Sequence, residues 1–387
     1  MKGQLPGALA WLWGAGVAAA LGLAAAAAGA ELRPADPAAA GMSAPRLERA
    51  ASILAAEVDQ KRISAASLIV ARQGKVVLDR GFGCQPDTIF LLASITKPVT
   101  ACALMLLAER GQVSLDDSVQ RYLPEFQGGL RAQVRVRDLL AHTSGLPDML
   151  PENLELRRAH APLSEFVRRA MTTPLLYAPR TGFSYQSMGI LLAAEIVERV
   201  SGQRLRNFER REIFEPLGMK RSALGLGGRK IEETARCQTS ASANPEDTRR
   251  FGANSPYWRD MGHPWGGMHS TTGDLAILLQ TFLNGGSYGG SRIFSPATVA
   301  AMTRDQNEAV KAPWGLGWGL ATSRVWADFG ELVSPRTFGH VGATGTVAWA
   351  DPDRQLLCVI LTTRPHGEDG GRLLRLVSNA VAAAVEK

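Results

Sequence analysis

Ser94 and Lys97 stand three residues apart in Ser94-Ile95-Thr96-Lys97, where a run begins that is apolar on nearly every side as far as residue 110. A serine hydroxyl is a weak nucleophile until a neighbouring base takes its proton. Positions i and i+3 share one helical face, so the Lys97 amine can approach the Ser94 oxygen. Burial and nearby positive groups lower a lysine pKa until the amine serves as a base. A helix N-terminus also favours the negative charge that develops during acyl transfer. The bland reading is an N-cap serine beside an unrelated lysine, and S-x-x-K alone is a short pattern. Placement at a buried helix start, with the companions below, favours chemistry.

Two more positions could join them. Tyr185 in Tyr185-Gln186-Ser187 precedes a helical pattern, and a tyrosine of depressed pKa can shuttle a proton between nucleophile and leaving group. The competing reading is a half-buried core tyrosine with a wet hydroxyl. His340-Val341-Gly342, followed by Ala343, lies in a strand-like segment. A glycine on an edge strand lets a substrate approach the backbone, whose N–H groups can act as oxyanion donors. The competing reading is a satisfied histidine at a strand end.

The elements that must position these groups follow from pattern. Residues 67–71 and 75–79 are rich in branched side chains around Arg72-Gln73-Gly74, a hairpin signal. Residues 346–350 and 356–361 flank Asp351-Pro352-Asp353 and form a second hairpin. Helices are expected over 46–56, 95–110, 187–200 and 372–385, the second apolar all round and so buried. Thr271-x-x-Asp274 reads as a capping box opening a helix through Leu283. Strands at both ends with a helical middle predict one sheet built from the two termini and a helical region inserted between them. The expected sheet part covers about 46–93 and 325–387, the helical part about 94–324, and the Pro/Ala-rich residues 31–45 read as a linker.

S-x-x-K, then Y-x-[NS], then [KH]-x-G, in this order, resembles the serine β-lactamase and penicillin-binding-protein superfamily. The flanking text agrees: Phe90-Leu-Leu-Ala-Ser94-Ile-Thr-Lys97, Val136-Arg-Asp-Leu-Leu-Ala-His142-Thr-Ser-Gly145-Leu and Phe338-Gly-His340-Val-Gly342-Ala-Thr-Gly345-Thr. These are similar to the branch of class C β-lactamases, D-stereospecific peptidases and family VIII carboxylesterases, over about residues 41–385. The resemblance implies an α/β (α+β) fold, a β-lactamase/transpeptidase-like antiparallel sheet flanked by helices with an inserted all-helical region. The site would lie in the cleft between them. It implies Ser94 as the acylated nucleophile, Lys97 as its proton acceptor and Tyr185 as an assistant in acylation and deacylation. The N–H groups of Ser94 and Ala343 would form the oxyanion hole, with His340 and Gly342 lining the sheet side and Ser187 contacting substrate.

Two positions depart from that pattern. The family often has asparagine where Ser187 stands, and serine offers no amide to a substrate amide. Its β-lactamases usually carry lysine where His340 stands, and an unperturbed histidine is mostly uncharged at pH 7. Attraction for a substrate carboxylate is therefore expected to be weaker at that position. Both changes tilt the expectation toward small-molecule esters. The alternatives on the same residues are a D-Ala-D-Ala carboxypeptidase or D-aminopeptidase acting on peptides, including peptidoglycan fragments, and a class C-type β-lactamase. A non-catalytic muropeptide- or partner-binding relative is the alternative of another class.

Other features weigh against rival chemistries. Gly285-Gly286-Ser287-Tyr288-Gly289 spells G-x-S-x-G, with Asp351 and His366 following in α/β-hydrolase order. That elbow needs a strand before the serine and a helix after it, whereas here a helix precedes and a loop follows. His142 reads as a structural residue at a helix end. His263 and His269, six apart, share no helical face, so no metal is expected, and the reaction needs no cofactor. Trp265 is a candidate pocket wall, and Trp314 and Trp318 are equally candidates for core. Cys84, Cys102, Cys237 and Cys358 form no metal pattern, and spacing cannot pair them.

The 387 residues are 45% hydrophobic, enough for a sizeable core. Mean hydropathy of −0.04 excludes a polytopic membrane protein. The net charge of +7 comes from 43 basic residues scattered among 36 acidic ones, which argues against nucleic-acid binding. Lys2, an apolar stretch over 5–28 and Ala28-Gly29-Ala30 describe a signal peptide over 1–30 cleaved after Ala30. The expected compartment is periplasmic or extracellular, with membrane contact only if the leader stays on as an anchor.

Overall fold

The computed structural model describes residues 30–323, 325 and 328–386, so the leader expected over 1–30 lies outside the described residues except for Ala30. A seven-stranded sheet forms the centre, in the order β1-β3-β2-β12-β11-β10-β9. The N-terminal part supplies β1 (Arg33–Pro34), β2 (Ala66–Arg72) and β3 (Lys75–Phe82). Two smaller sheets come from the middle of the chain: β4 (Phe90–Leu91), β5 (Ala223–Leu224) and β6 (Met268–Ser270), then β7 (Ser287–Tyr288) and β8 (Ser291–Arg292). The C-terminal part supplies β9 (Gly319–Leu320), β10 (Phe338–Gly342), β11 (Thr346–Asp351) and β12 (Leu356–Thr362). The central sheet is antiparallel except for β1, which runs parallel to β3.

Both expected hairpins are present. Between β2 and β3, Gln73 and Gly74 take φ of 53° and 75°, two consecutive left-handed residues. A two-residue turn of that kind matches the natural twist of paired strands. Every residue of β2 and β12 is buried, because helices cover both faces of the sheet. Leu68 and Val70 point toward α1 (Ala44–Asp59) and the C-terminal helix, whereas Ile69 and Ala71 join the larger core on the other face.

The helical region is organised by α2 (Thr96–Glu109), buried along nearly its whole length. The remaining helices that bear on the site are α3 (Asn153–Arg158), α4 (Ser187–Ser201), α5 (Pro245–Phe251), α6 (Pro256–Asp260) and α7 (Thr272–Leu283); α8 (Arg372–Ala382) packs beside α1.

Three expectations need correction. Residues 31–45 are not a free linker. Pro34 sits on the sheet edge, where its missing N–H costs nothing, and Ala40 and Met42 are buried. The Arg72 guanidinium ties this segment down through the Ala40 carbonyl at 2.8 Å. The sheet also begins earlier at its far end than expected, since β9 precedes residue 325. The capping box at α7 is half formed. Thr271 Oγ1 accepts the Asp274 N–H at 3.1 Å, but the Asp274 carboxylate turns to the Arg221 N–H and the Ser222 hydroxyl.

Candidate active site

The chain reaches Ser94 through a short, tightly held turn. Ser94 lies in a 3-10 turn (Ala93–Ile95) that feeds directly into α2. Ala93 before it takes φ of +50°, a left-handed conformation that costs free energy for a residue with a Cβ. Neighbours hold it there. Thr96 Oγ1 donates to the Ala93 carbonyl at 2.7 Å and accepts the Met268 N–H at 3.0 Å. The Leu92 N–H donates to the Met268 carbonyl at 2.9 Å, extending the β4–β6 pairing up to the turn.

Lys97 is 1% exposed, and its Nζ lies 3.0 Å from Ser94 Oγ. The same amine donates to the Trp265 carbonyl at 3.0 Å. Burial brings its pKa down to about 7, partly opposed by the negative charge of Asp148. A large fraction of the amine is therefore unprotonated at neutral pH and can accept the Ser94 proton.

Tyr185 is hydrogen-bonded to Ser94, and its ring centroid lies 4.7 Å from Lys97 Nζ. Its pKa is not depressed as expected. Burial pushes the phenol far above its ordinary value, so Tyr185 is a neutral hydroxyl able to donate and relay a proton. A wall of rings fixes its orientation: His142 at 4.8 Å, Trp314 at 5.9 Å and His340 at 5.9 Å between centroids. His142 has the packing role expected of it, and its Nδ1 accepts the Gln186 N–H at 3.3 Å.

Ser94, Tyr185, Ser187 and Ala343 line one cavity of about 440 Å³, with Val341, Thr344, Trp265 and Asp148 among the other walls. His340 is not among its lining residues. Its ring is buried behind Tyr185 against Trp314, with Nδ1 2.8 Å from the Val341 carbonyl. Burial lowers its pKa to about 3, so the ring is neutral. Gly342 is also absent from the lining. A Cβ there would stand 2.1 Å from the Leu92 carbonyl, so glycine is needed for the strand to reach the turn holding Ser94. The expected reason was substrate approach; the observed one is chain packing. Strand β9 pairs only with Phe338 and Gly339, which leaves the rest of β10 unpaired by it.

Sequence reasoning missed Asp148. Its Oδ1 accepts the Ser187 hydroxyl at 2.7 Å, and its carbonyl accepts the Ser187 N–H at 3.2 Å. The only signal was its place just after the His142-Thr-Ser-Gly145 turn. Arg157, Trp258 and His263 also line the cavity and come from segments with no motif. The G-x-S-x-G decoy dissolves. Ser287 is buried in the β7–β8 hairpin, Asp351 accepts from Ser334 at 2.7 Å, and His366 Nε2 lies 2.5 Å from Asp328. The four cysteines are free thiols. Among the described residues no group of His, Cys, Asp and Glu could hold a metal ion. Nor is any described helix long and apolar enough to cross a membrane.

The family model described as Beta-lactamase matches residues 50–382. A protein named "Putative D-alanyl-D-alanine carboxypeptidase" from Escherichia coli (strain K12) is 32% identical over 325 residues, 76% of this chain and 73% of that one. Among solved structures, a family VIII carboxylesterase superposes with a TM-score of 0.70 at 22% identity, covering 88% of this chain and 99% of the other. A penicillin-binding protein homolog from Caulobacter crescentus gives 0.72 at 23% identity, covering 90% and 99%. At these identities the structural likeness is one of fold.

Proposed function

Because the chain belongs to the beta-lactamase family of serine hydrolases, we propose that it cleaves carboxylic esters through an acyl-enzyme on Ser94. The observation that carries this reading is a hydroxyl opening into a cavity with a desolvated amine 3.0 Å behind it.

The Lys97 amine takes the Ser94 proton as Oγ attacks the acyl carbonyl, and the carbonyl π electrons move onto oxygen. The N–H groups of Ser94 and Ala343 stabilise that oxyanion. As the tetrahedral species collapses, the C–O bond to the leaving group breaks. The proton passes through Tyr185 to the departing alkoxide, which leaves as an alcohol. Water then adds to the acyl carbonyl, giving its proton to the same Lys97–Tyr185 pair, and the acid departs with Ser94 restored. The neutral amine can accept the Ser94 proton, its new positive charge being balanced by the oxyanion, and the neutral phenol can accept one proton while donating another.

The ester preference rests on His340 in β10 and Ser187 at the start of α4. His340 is neutral and buried, and the Ser187 hydroxyl is committed to Asp148. Neither offers what an amide substrate with a terminal carboxylate would require at those positions. A second reading, D-Ala-D-Ala carboxypeptidase, is favoured by the 32% identical relative of that name. A leader over 1–30 would deliver either enzyme to the periplasm or the outside, where peptidoglycan fragments occur. Kinetics on short 4-nitrophenyl esters, a peptide ending in D-Ala-D-Ala and a chromogenic cephalosporin separate these readings. Ester turnover exceeding D-alanine release and cephalosporin opening supports the first. Efficient D-alanine release with negligible ester cleavage contradicts it.

A further inference from the structure

Arg157, on α3, is the cationic guanidinium among the lining residues of the Ser94 cavity, and the chemistry above makes no use of it. Its guanidinium carbon lies 3.9 Å from the Trp258 ring centroid and 5.0 Å from that of Phe251. Nη2 donates to the Phe251 carbonyl at 2.9 Å, while Nε is buried without a hydrogen-bond partner. Among the described residues no carboxylate stands within ion-pair distance of Arg157. The nearby Asp247 is bound instead by Arg158 at 2.9 Å. Other arginines close in sequence are paired as well: Arg168 and Arg169 both hold Glu165.

A cation clamped on aromatic faces, partly withdrawn from water and with no carboxylate in contact, is relieved by an anion that reaches it. The charges of the cavity are arranged for this. Asp148 stands at the nucleophile end, where its field acts on Lys97 and Tyr185. Arg157 lines the same cavity, and its charge is felt by His263, another lining residue. Within the cavity an anion is repelled by Asp148 and drawn to Arg157. A volume of about 440 Å³ leaves room for a reacting carbonyl and a remote charged group together.

We propose that Arg157 is a specificity-determining residue that binds a carboxylate carried by the substrate away from the bond that is cleaved. The proposal rests on Ser94 as nucleophile and deepens that reading by naming the substrate class, anionic esters.

The test compares matched substrates on wild type, Arg157→Gln and Arg157→Lys. One arm uses 4-nitrophenyl pentanoate against 4-nitrophenyl hemiglutarate, which places the carboxylate on the acyl side. The other uses butyrate esters of 4-nitrophenol and 4-hydroxybenzoate, which places it on the leaving group. In one arm, the kcat/KM ratio of anionic to neutral ester falls roughly 10- to 100-fold in Arg157→Gln, mainly through KM. Arg157→Lys keeps part of that ratio, and the responding arm tells which side of the substrate carries the charge. An unchanged ratio in both arms, or an equal loss on every ester, overturns the proposal. Cleavage surviving in Ser94→Ala would instead overturn the nucleophile, and the Arg157 ratios are read independently of it.

Discussion

Two cavities among the described residues share a wall, and they differ in how their polar groups are satisfied. The larger, about 830 Å³, is lined by Met261, Gly262 and Pro264 on one side of the 261–266 loop; the smaller, about 440 Å³, by His263, Trp265 and Gly266 on the other. In the larger one the charged groups are satisfied: Arg199 holds Glu125 and Glu195, Arg204 holds Glu198, and Arg206 donates to the Asp260 and Met261 carbonyls. Beside the smaller one, Lys97 behind the Ser94 wall is a buried amine without an ion-pair partner among the described residues, His263 in the wall has no hydrogen-bond partner for either ring nitrogen, and Arg157 has no carboxylate within ion-pair distance. Size does not mark the proposed site of chemistry. Desolvated groups left with unsatisfied capacity do, because their free energy can be lowered by substrate or by a developing charge.

The largest effect expected from breaking this contrast is at Lys97. Lys97→Met removes the proposed base and should lower ester kcat/KM by roughly a thousandfold or more. The same change stabilises the fold. Folded Lys97 titrates at about 7 against 10.5 for an ordinary lysine. Between those values the unfolded chain binds a proton that the folded chain does not, so wild-type stability rises with pH across that window. The gain on substitution is therefore greatest below pH 7, where the melting temperature should rise by at least roughly 2 °C. A variant that is both inactive and less stable at pH 6 would break the account of a strained amine.

Tyr185→Phe comes next. It deletes the hydroxyl but keeps the ring against His142 and Trp314, so ester kcat/KM falls roughly 100-fold at unchanged melting temperature. A loss below about threefold would remove Tyr185 from the relay.

Asp148→Asn sharpens the electrostatic side. In wild type, kcat/KM on a neutral ester declines as pH falls through about 7, because the protonated amine cannot accept from Ser94. Asp148 holds the Lys97 pKa up, so its neutralisation moves that acid limb to lower pH. His340, with a pKa of about 3, does not contribute to the limb. A pH–rate profile that stays in place, or shifts to higher pH, would contradict this assignment.

The smallest effect is expected in the larger cavity. Glu198→Gln breaks one exposed pair with Arg204 and should leave ester kinetics within about twofold. A tenfold loss there would dissolve the distinction between the two cavities.

Much of this was legible from residues alone, for local reasons. The Arg72-Gln73-Gly74 turn and the branched strands around it specify their hairpin by short-range chemistry, and α2 announces its burial by being apolar all round. Ser94 and Lys97 were readable because one helical turn brings them together. What escaped depends on contacts distant in sequence. Lys97 is anchored by the carbonyl of Trp265, and Arg157 is framed by rings from α5 and α6. His340 was placed in the site by its motif, but strand register turns its ring behind Tyr185. The reason for Gly342 became visible only with the Leu92 carbonyl in place.

The most direct measurement is intact-mass analysis with peptide mapping after the enzyme is mixed with a fluorophosphonate or a slowly hydrolysed ester. One covalent adduct should appear on the peptide bearing Ser94, form faster as pH rises through about 7, and vanish in Ser94→Ala. An adduct on Ser287, or labelling that persists in Ser94→Ala, would contradict the account.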